Sequence, residues 1–206
     1  HTNIPSNVAK WMEGYKNELR QLIRDKAEPT ETIRQQWRDL KSGQVKNNAA
    51  GRTKSVTPLI QTTWNQSPHY NALAPDNSVT GCVATAMAQV IKYWNYPANG
   101  TGFHSYNHSS YGTLSANFGG TTYDWSAMPN NVTSSNNAVA TLMYHCGVSV
   151  DMDYSPQVSG AYVITTKSPV THCSEFALKT YFGYKSTLQG IERDDHTQTQ
   201  WVNKLN

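Results

Sequence analysis

The 206-residue sequence contains three cysteines, Cys82, Cys146 and Cys173, and one of them stands where sulfur chemistry is favoured. In TGCVATAMAQVIKYWNYP, residues 80 to 97, Cys82 follows a glycine and opens a run of small and apolar residues. The first-turn amides of a helix have no intrahelical partners, and the peptide dipoles sum there to about +0.5 charge. A thiolate at that position is therefore favoured over a thiol, and cysteine pKa values in such places fall from about 8.5 to between ~3.5 and ~7.5. Gly81 leaves room for a substrate carbonyl and lets the backbone turn sharply. The Cys82 amide is then available to hold an oxyanion. Position alone leaves a second reading open, a small buried hydrophobe, which is the commoner fate of a free cysteine. The three cysteines cannot all pair, and their spacing fits neither a zinc site nor a CxxC motif. No metal or cofactor is implied.

Positioning such a sulfur requires a well-packed helix. Val83, Ala86, Met87, Val90, Ile91 and Trp94 recur at helical spacing, and Ala84 and Ala88 make the other side almost as apolar. Only Thr85, Gln89 and Lys92 form a polar strip, so the helix is expected to be central and buried on most sides. Asn95-Tyr96-Pro97 ends it. A second helix is expected with Ser135 as its cap, Val139, Leu142, Met143 and Cys146 on one face, and Gly147 as its stop. VSVDMDYS, 148 to 155, alternates like a half-buried strand. A third helix is expected from Ser168 to Phe182 with Val170, Cys173, Ala177 and Tyr181 inward. Cys146 and Cys173 then lie mid-helix as packing residues, and His172 points about 100° away from Cys173. GTGFHSYNHSSYGTLSANFGG, 100 to 120, reads as surface loop.

Composition changes near residue 55. Residues 1 to 54 carry 11 Lys/Arg and 6 Asp/Glu, a net +5, whereas residues 55 to 206 carry 6 and 8, a net −2. The basic segment reads as two amphipathic helices. In the first, Val8, Trp11, Met12, Tyr15, Leu19, Leu22 and Ile23 recur at three-to-four spacing; Thr30-Glu31-Thr32 opens the second, which carries Ile33, Trp37 and Leu40. The positive charges are interleaved with acids, which indicates solvated helix faces and no nucleic-acid partner. KSGQVKNNAAGRTKS, 41 to 55, reads as an exposed and cuttable linker. The whole suggests a detachable basic piece tied to a weakly acidic body, with a plain N-terminal helical subdomain as the other reading. No run approaches the ~18 apolar residues of a membrane span. The opening HTNIPSNVAK has neither an initiator methionine nor a signal pattern, so the true N-terminus is expected to lie upstream.

Three motifs in order, TTWNQSPHYN (62 to 71), TGCVATAMAQVIKYWNYP and GVSVDMDYSPQVSGA (147 to 161), resemble the streptopain family of papain-like cysteine peptidases, and the likeness runs from about Val56 to the end. IPSNVAKWMEGY resembles the end of that family's inhibitory propeptide. The resemblance implies an α+β, papain-like fold with a central cysteine-bearing helix and an antiparallel sheet, incomplete here. It divides the chain into a prosegment, 1 to 48, and the N-terminal portion of the catalytic domain, 49 to 206. Cys82 would be the nucleophile, Gln66 the side-chain donor of the oxyanion hole, and Tyr154, Ser159 and Gly160 would flank the pocket for the substrate residue one removed from the cut. Partners would be protein or peptide substrates and the chain's own prosegment acting as inhibitor, and the location would be secreted or on a bacterial cell surface. Cleavage after Lys46, in Val45-Lys46-Asn47, would suit maturation.

The family's general-base histidine lies in a Gly-Gly-His-Ala-Phe-like strand, followed by a Trp-Gly-rich segment, and neither motif occurs here. None of His1, His69, His104, His108, His145, His172 and His196 has those surroundings. A C-terminal fragment of the same polypeptide is therefore the expected source of the base. The alternative function is a non-catalytic secreted surface module that binds glycans or host proteins through exposed Tyr and Trp residues.

Overall fold

A computed structural model describes residues 6 to 43, 57 to 165 and 171 to 205. The chain divides into two units, His1–Val56 and Thr57–Asn206. Of the proposed linker, Lys41 ends α2 and Ser42 and Gly43 follow it; the rest, the site at Lys46 and the 48/49 boundary lie outside the described residues, as does Val170.

The first unit holds α1 (Ser6–Arg24) and α2 (Glu31–Lys41). Thr30 caps α2 by accepting a hydrogen bond from the Ile33 amide at 3.4 Å, which explains why the second run starts there. Met12, Tyr15, Leu19, Leu22 and Ile23 on α1, and Ile33, Trp37 and Leu40 on α2, are all exposed. The periodicity was that of amphipathic helices, and it held over both runs.

The second unit is built around α3 (Cys82–Trp94) and α4 (Asn137–Val148), which pack on each other. Ala84, Ala88 and Ile91 of α3 and Val139, Leu142, Met143 and Cys146 of α4 have no exposed surface. The small residues let the two backbones approach, and larger side chains fill the space around them. The buried face of α3 is rotated from the expected stripe: Thr85 is buried, whereas Ala86 and Trp94 are exposed. Thr85 tolerates burial because its hydroxyl is bonded, as described below. Asn95 ends α3 in the left-handed conformation, φ 46°, two residues before Pro97.

β1 (Phe103–His108) and β2 (Gly112–Asn117) form an antiparallel hairpin in which Phe103 pairs with Asn117 and His108 with Gly112. The hairpin contacts α4. This stretch was expected to be loop. Its inward residues do alternate, but on β1 they are His104, Tyr106 and His108, where a period-two pattern is usually looked for in Val, Ile or Leu. Two-strand pairing with helices makes the chain α+β.

Other boundaries also differ from expectation. Asn136, not Ser135, caps α4, accepting from the Val139 amide at 2.9 Å. Gly147 does not stop the helix, which runs on to Val148. A Cβ on Gly147 would stand 2.0 Å from the Tyr154 hydroxyl, so this glycine makes room for a ring. The 148 to 155 stretch is not a strand: Val148 ends α4, Asp151 turns the chain with φ 50°, and only Asp153 pairs, with Gly160. A tight reversal after a helix can produce the same in-out alternation as a strand. α5 is shorter than expected, Ser174–Thr180, with buried Cys173 at its N-cap position rather than mid-helix. α6 spans Gln198–Leu205. Among the described residues no helix is long and apolar enough to cross a membrane.

His145, on α4, is 7% exposed and sits edge-on to Phe118, with Nδ1 2.9 Å from the Tyr123 hydroxyl. Burial pushes the Tyr123 phenol up, so its O–H donates to a neutral imidazole. Burial likewise pushes His145 down to about 4, from 6.5. Between those values the unfolded chain binds the proton more readily, so stability is lost as pH falls from 6.5 to 4 and His145 adds nothing further below that. The loss should approach about 3 kcal/mol. Urea unfolding of the wild type and His145→Gln at pH 7 and pH 4.5 measures it: the wild type should lose more stability than the variant by roughly this amount. Equal losses would place the acid sensitivity elsewhere.

Candidate active site

Cys82 is the first residue of α3, and its side chain is free and exposed. That removes the reading of a buried hydrophobe. The contrast with Cys146 and Cys173 is complete, since both have no exposed surface, and burial pushes the Cys146 thiol up. Gly81 precedes the helix with φ 85° and ψ 145°, a conformation that L side chains rarely adopt. A Cβ there would also meet the Met152 sulfur at 2.7 Å. Both dihedral and space therefore require glycine next to the sulfur.

No side chain caps α3. The hydroxyl of Thr85 instead donates backward to the Gly81 carbonyl at 2.9 Å and lies 2.9 Å from the hydroxyl of buried Thr80. The T-G-C-V-A-T spacing thus ties the residues before the turn to the first turn of the helix, with no side-chain bond to the leading amides. Thr80 and Thr85 were not expected to contribute. Their separation of five residues around Gly-Cys was the available signal.

Gln66 reaches this place through backbone pairing. Its carbonyl accepts from the Thr80 amide at 3.2 Å, two residues before Cys82, and its own amide donates to Asn65 Oδ1 at 2.8 Å. The flanking aromatics anchor the segment. Trp64 donates from Nε1 to the Pro129 carbonyl at 2.8 Å, and the Tyr70 hydroxyl accepts from the Val132 amide at 3.2 Å. Both rings are buried, while Gln66 between them is half-buried.

On the other side runs the 153 to 160 loop. The Val79 amide donates to the Ser155 carbonyl at 3.3 Å, and the buried Ser159 hydroxyl donates to the Val79 carbonyl at 2.6 Å while accepting from the Ser155 amide at 3.0 Å. The Ser159 carbonyl stands 3.2 Å from where a Gly81 Cβ would be, and nothing lies within 4 Å of a Cβ built on exposed Gly160. Ser159 and Gly160 therefore border the turn that carries Cys82. Tyr154 differs: it is 3% exposed, stacks near Tyr144 and points its hydroxyl at Gly147. Its contribution is to the loop's footing.

Most of the described histidines are engaged away from the sulfur. His104 and His172 both meet Asp151, at 2.5 and 3.5 Å. His108 accepts from the Ser110 amide at 3.1 Å and faces Asp153 at 3.3 Å. His145 is buried with Tyr123, and His196 Nδ1 lies 2.7 Å from the Glu192 carbonyl. His69 takes φ 73° in the 66 to 71 turn, and His1 lies outside the described residues.

Residues 64 to 206 match the sequence model of the Peptidase C10 family. The thiol protease/hemagglutinin PrtT of Porphyromonas gingivalis is 30% identical over 98% of this chain, which covers 24% of that protein. Streptopain of Streptococcus pyogenes is 29% identical over 98% of the chain, which covers 52% of its length. The structure of active wild-type interpain A cysteine protease from Prevotella intermedia superposes with a TM-score of 0.64 and 40% identity, over 73% of this chain and 63% of that one. A prointerpain A fragment from the same organism gives 0.62 and 36%, over 86% and 63%. The chain thus spans about half the length of streptopain. A match that takes in the Gln66 segment, the Cys82 turn and the 153 to 160 loop together, on the α+β fold of papain-like peptidases, makes this chain a member of the Peptidase C10 family.

Proposed function

We propose that the second unit carries the nucleophile portion of a cysteine endopeptidase. The Cys82 thiolate attacks the carbonyl carbon of a peptide bond, and the resulting O⁻ is received by the Cys82 amide and the Gln66 side-chain amide. The C–N bond then breaks, the amine leaves with a proton, and water hydrolyses the thioester to a free acid and the thiolate. Ser159 and Gly160 border the pocket for the residue one removed from the cut, with Tyr154 beneath. The observation that supports this best is an exposed Cys82 on an uncapped helix start to which the Gln66 backbone is bonded two residues away.

The general base is supplied, in this reading, by a further segment of the same polypeptide. The engagement of His104, His145, His172 and His196 with other groups and the burial of His108 favour that source, as does the chain's coverage of about half of streptopain. Residues 1 to 48 act as an inhibitory prosegment, released by cleavage after Lys46, and residues 49 to 206 as the catalytic portion. Protein or peptide substrates are met outside the cell or at a bacterial surface. No cofactor takes part.

Iodoacetamide tests the reading. Below pH 7, Cys82 of the mature peptidase should be alkylated well ahead of a free thiol, while buried Cys146 and Cys173 stay unlabelled until the protein unfolds. A Cys82 as slow as the free thiol would favour the surface-binding module instead.

A further inference from the structure

The three inward side chains of β1 reach three consecutive residues of the reversal after α4. His104 Nε2 lies 2.5 Å from Asp151 Oδ1, the Tyr106 hydroxyl donates to the Met152 carbonyl at 2.6 Å, and His108 Nε2 faces Asp153 Oδ1 at 3.3 Å. Asp151 is held from a second side by His172 Nδ1 at 3.5 Å. The chain beyond is the loop described above: Asp153 exchanges backbone hydrogen bonds with Gly160, at 2.9 and 3.2 Å, and Met152 packs its sulfur against Gly81. Burial and the nearby Asp151 carboxylate push the Tyr106 phenol up, so it remains a donor across the working pH range.

We propose that the His104–Tyr106–His108 row of β1 is a positioning strut that fixes the 151 to 160 loop, and through Met152 the Gly81 turn, at the proposed substrate cleft. The proposal deepens the peptidase reading by naming what holds its substrate-side wall. Its physical part stands apart from catalysis, because Tyr106 bonds the Met152 carbonyl, His104 bonds the Asp151 carboxylate and His108 faces Asp153, whereas Gly160, the partner of Asp153, is exposed and has no side chain of its own to fix it. Local opening of the Asp153–Gly160 pair requires the Met152 carbonyl to leave Tyr106. Losing one such bond changes an opening equilibrium by about tenfold.

Amide hydrogen exchange on the full chain tests the strut. In Tyr106→Phe the amides of Asp153 and Gly160 should exchange about tenfold faster, while those of buried α4 residues such as Leu142 and Met143 keep their rates. A second pair of variants uses the other end: His104→Leu should accelerate the same two amides, and His104→Gln, which keeps a neutral donor towards Asp151, should restore most of their protection. If Asp153 and Gly160 keep wild-type rates in both Tyr106→Phe and His104→Leu, or if the acceleration in either is uniform across α4, the strut is refuted. The peptidase reading fails separately. Alkylation of Cys82 by an iodoacetamide bearing a dipeptide, relative to iodoacetamide itself, should fall in Tyr106→Phe of the active enzyme if the fixed loop receives peptide. An unchanged ratio, with exchange accelerated as expected, would keep the strut and remove peptide binding from the loop.

Discussion

Replacing Cys82 with alanine in the active peptidase should lower peptide hydrolysis by about ten-thousand-fold or more while leaving the unfolding transition almost unchanged. The first half follows from the chemistry: no other exposed thiol exists among the described residues, and loss of the nucleophile removes the acyl-enzyme route entirely. The second half follows from exposure, because truncating a side chain that is not packed opens no cavity. Turnover of a peptide substrate and a urea unfolding curve, measured on the same preparation, check both halves. Residual activity within tenfold of wild type would mean that the sulfur is not the attacking group.

Gln66→Ala should slow turnover by about a hundredfold or more, corresponding to the roughly 2.7 to 4 kcal/mol of a lost oxyanion donor. The substitution keeps the backbone carbonyl that accepts from Thr80, and the anchors at Trp64 and Tyr70 are untouched. Folding should therefore survive. The diagnostic is which constant moves. An interaction made only with the developing O⁻ lowers kcat and kcat/KM together, whereas a raised KM with unchanged kcat would make Gln66 a ground-state binding residue.

What the sequence made legible depended on which physical signal carried it. α1, α2 and the helix behind Cys82 announced themselves by 3.6-residue periodicity, and α2 and α3 also by the residues at their ends, Thr30, Asn95 and Pro97. The exposure of Cys82 was foreshadowed by its place after Gly81, but the alternative of a buried cysteine was settled only by the coordinates. On β1 the inward positions are held by polar aromatic side chains facing the 151 to 153 segment, so hydrophobic alternation had little to report there; on β2 Leu114 and Ala116 do alternate inward, and that short signal was missed. Gly147 misled for the opposite reason: a glycine after an apolar run usually marks a helix end, and here a tyrosine ring from seven residues on needs the space. Tyr154, named beside the pocket, is the ring concerned, and it is buried against that glycine. Gln66 carries no local signal; its approach to Cys82 depends on a bond between segments fourteen residues apart in sequence, from Gln66 to Thr80.

The bare start of α3 is held open by its own backbone. An asparagine at position 81 would offer a carbonyl oxygen to the leading amides, but relative to glycine that cap is worth only a few tenths of a kcal/mol, less than the strain of a side chain at φ 85° and ψ 145°. Met152 would also have to move to admit it. Filling every helix end, a common recipe for thermostabilisation, would therefore gain nothing at this one, and in the proposed peptidase it would crowd the opening beside Cys82.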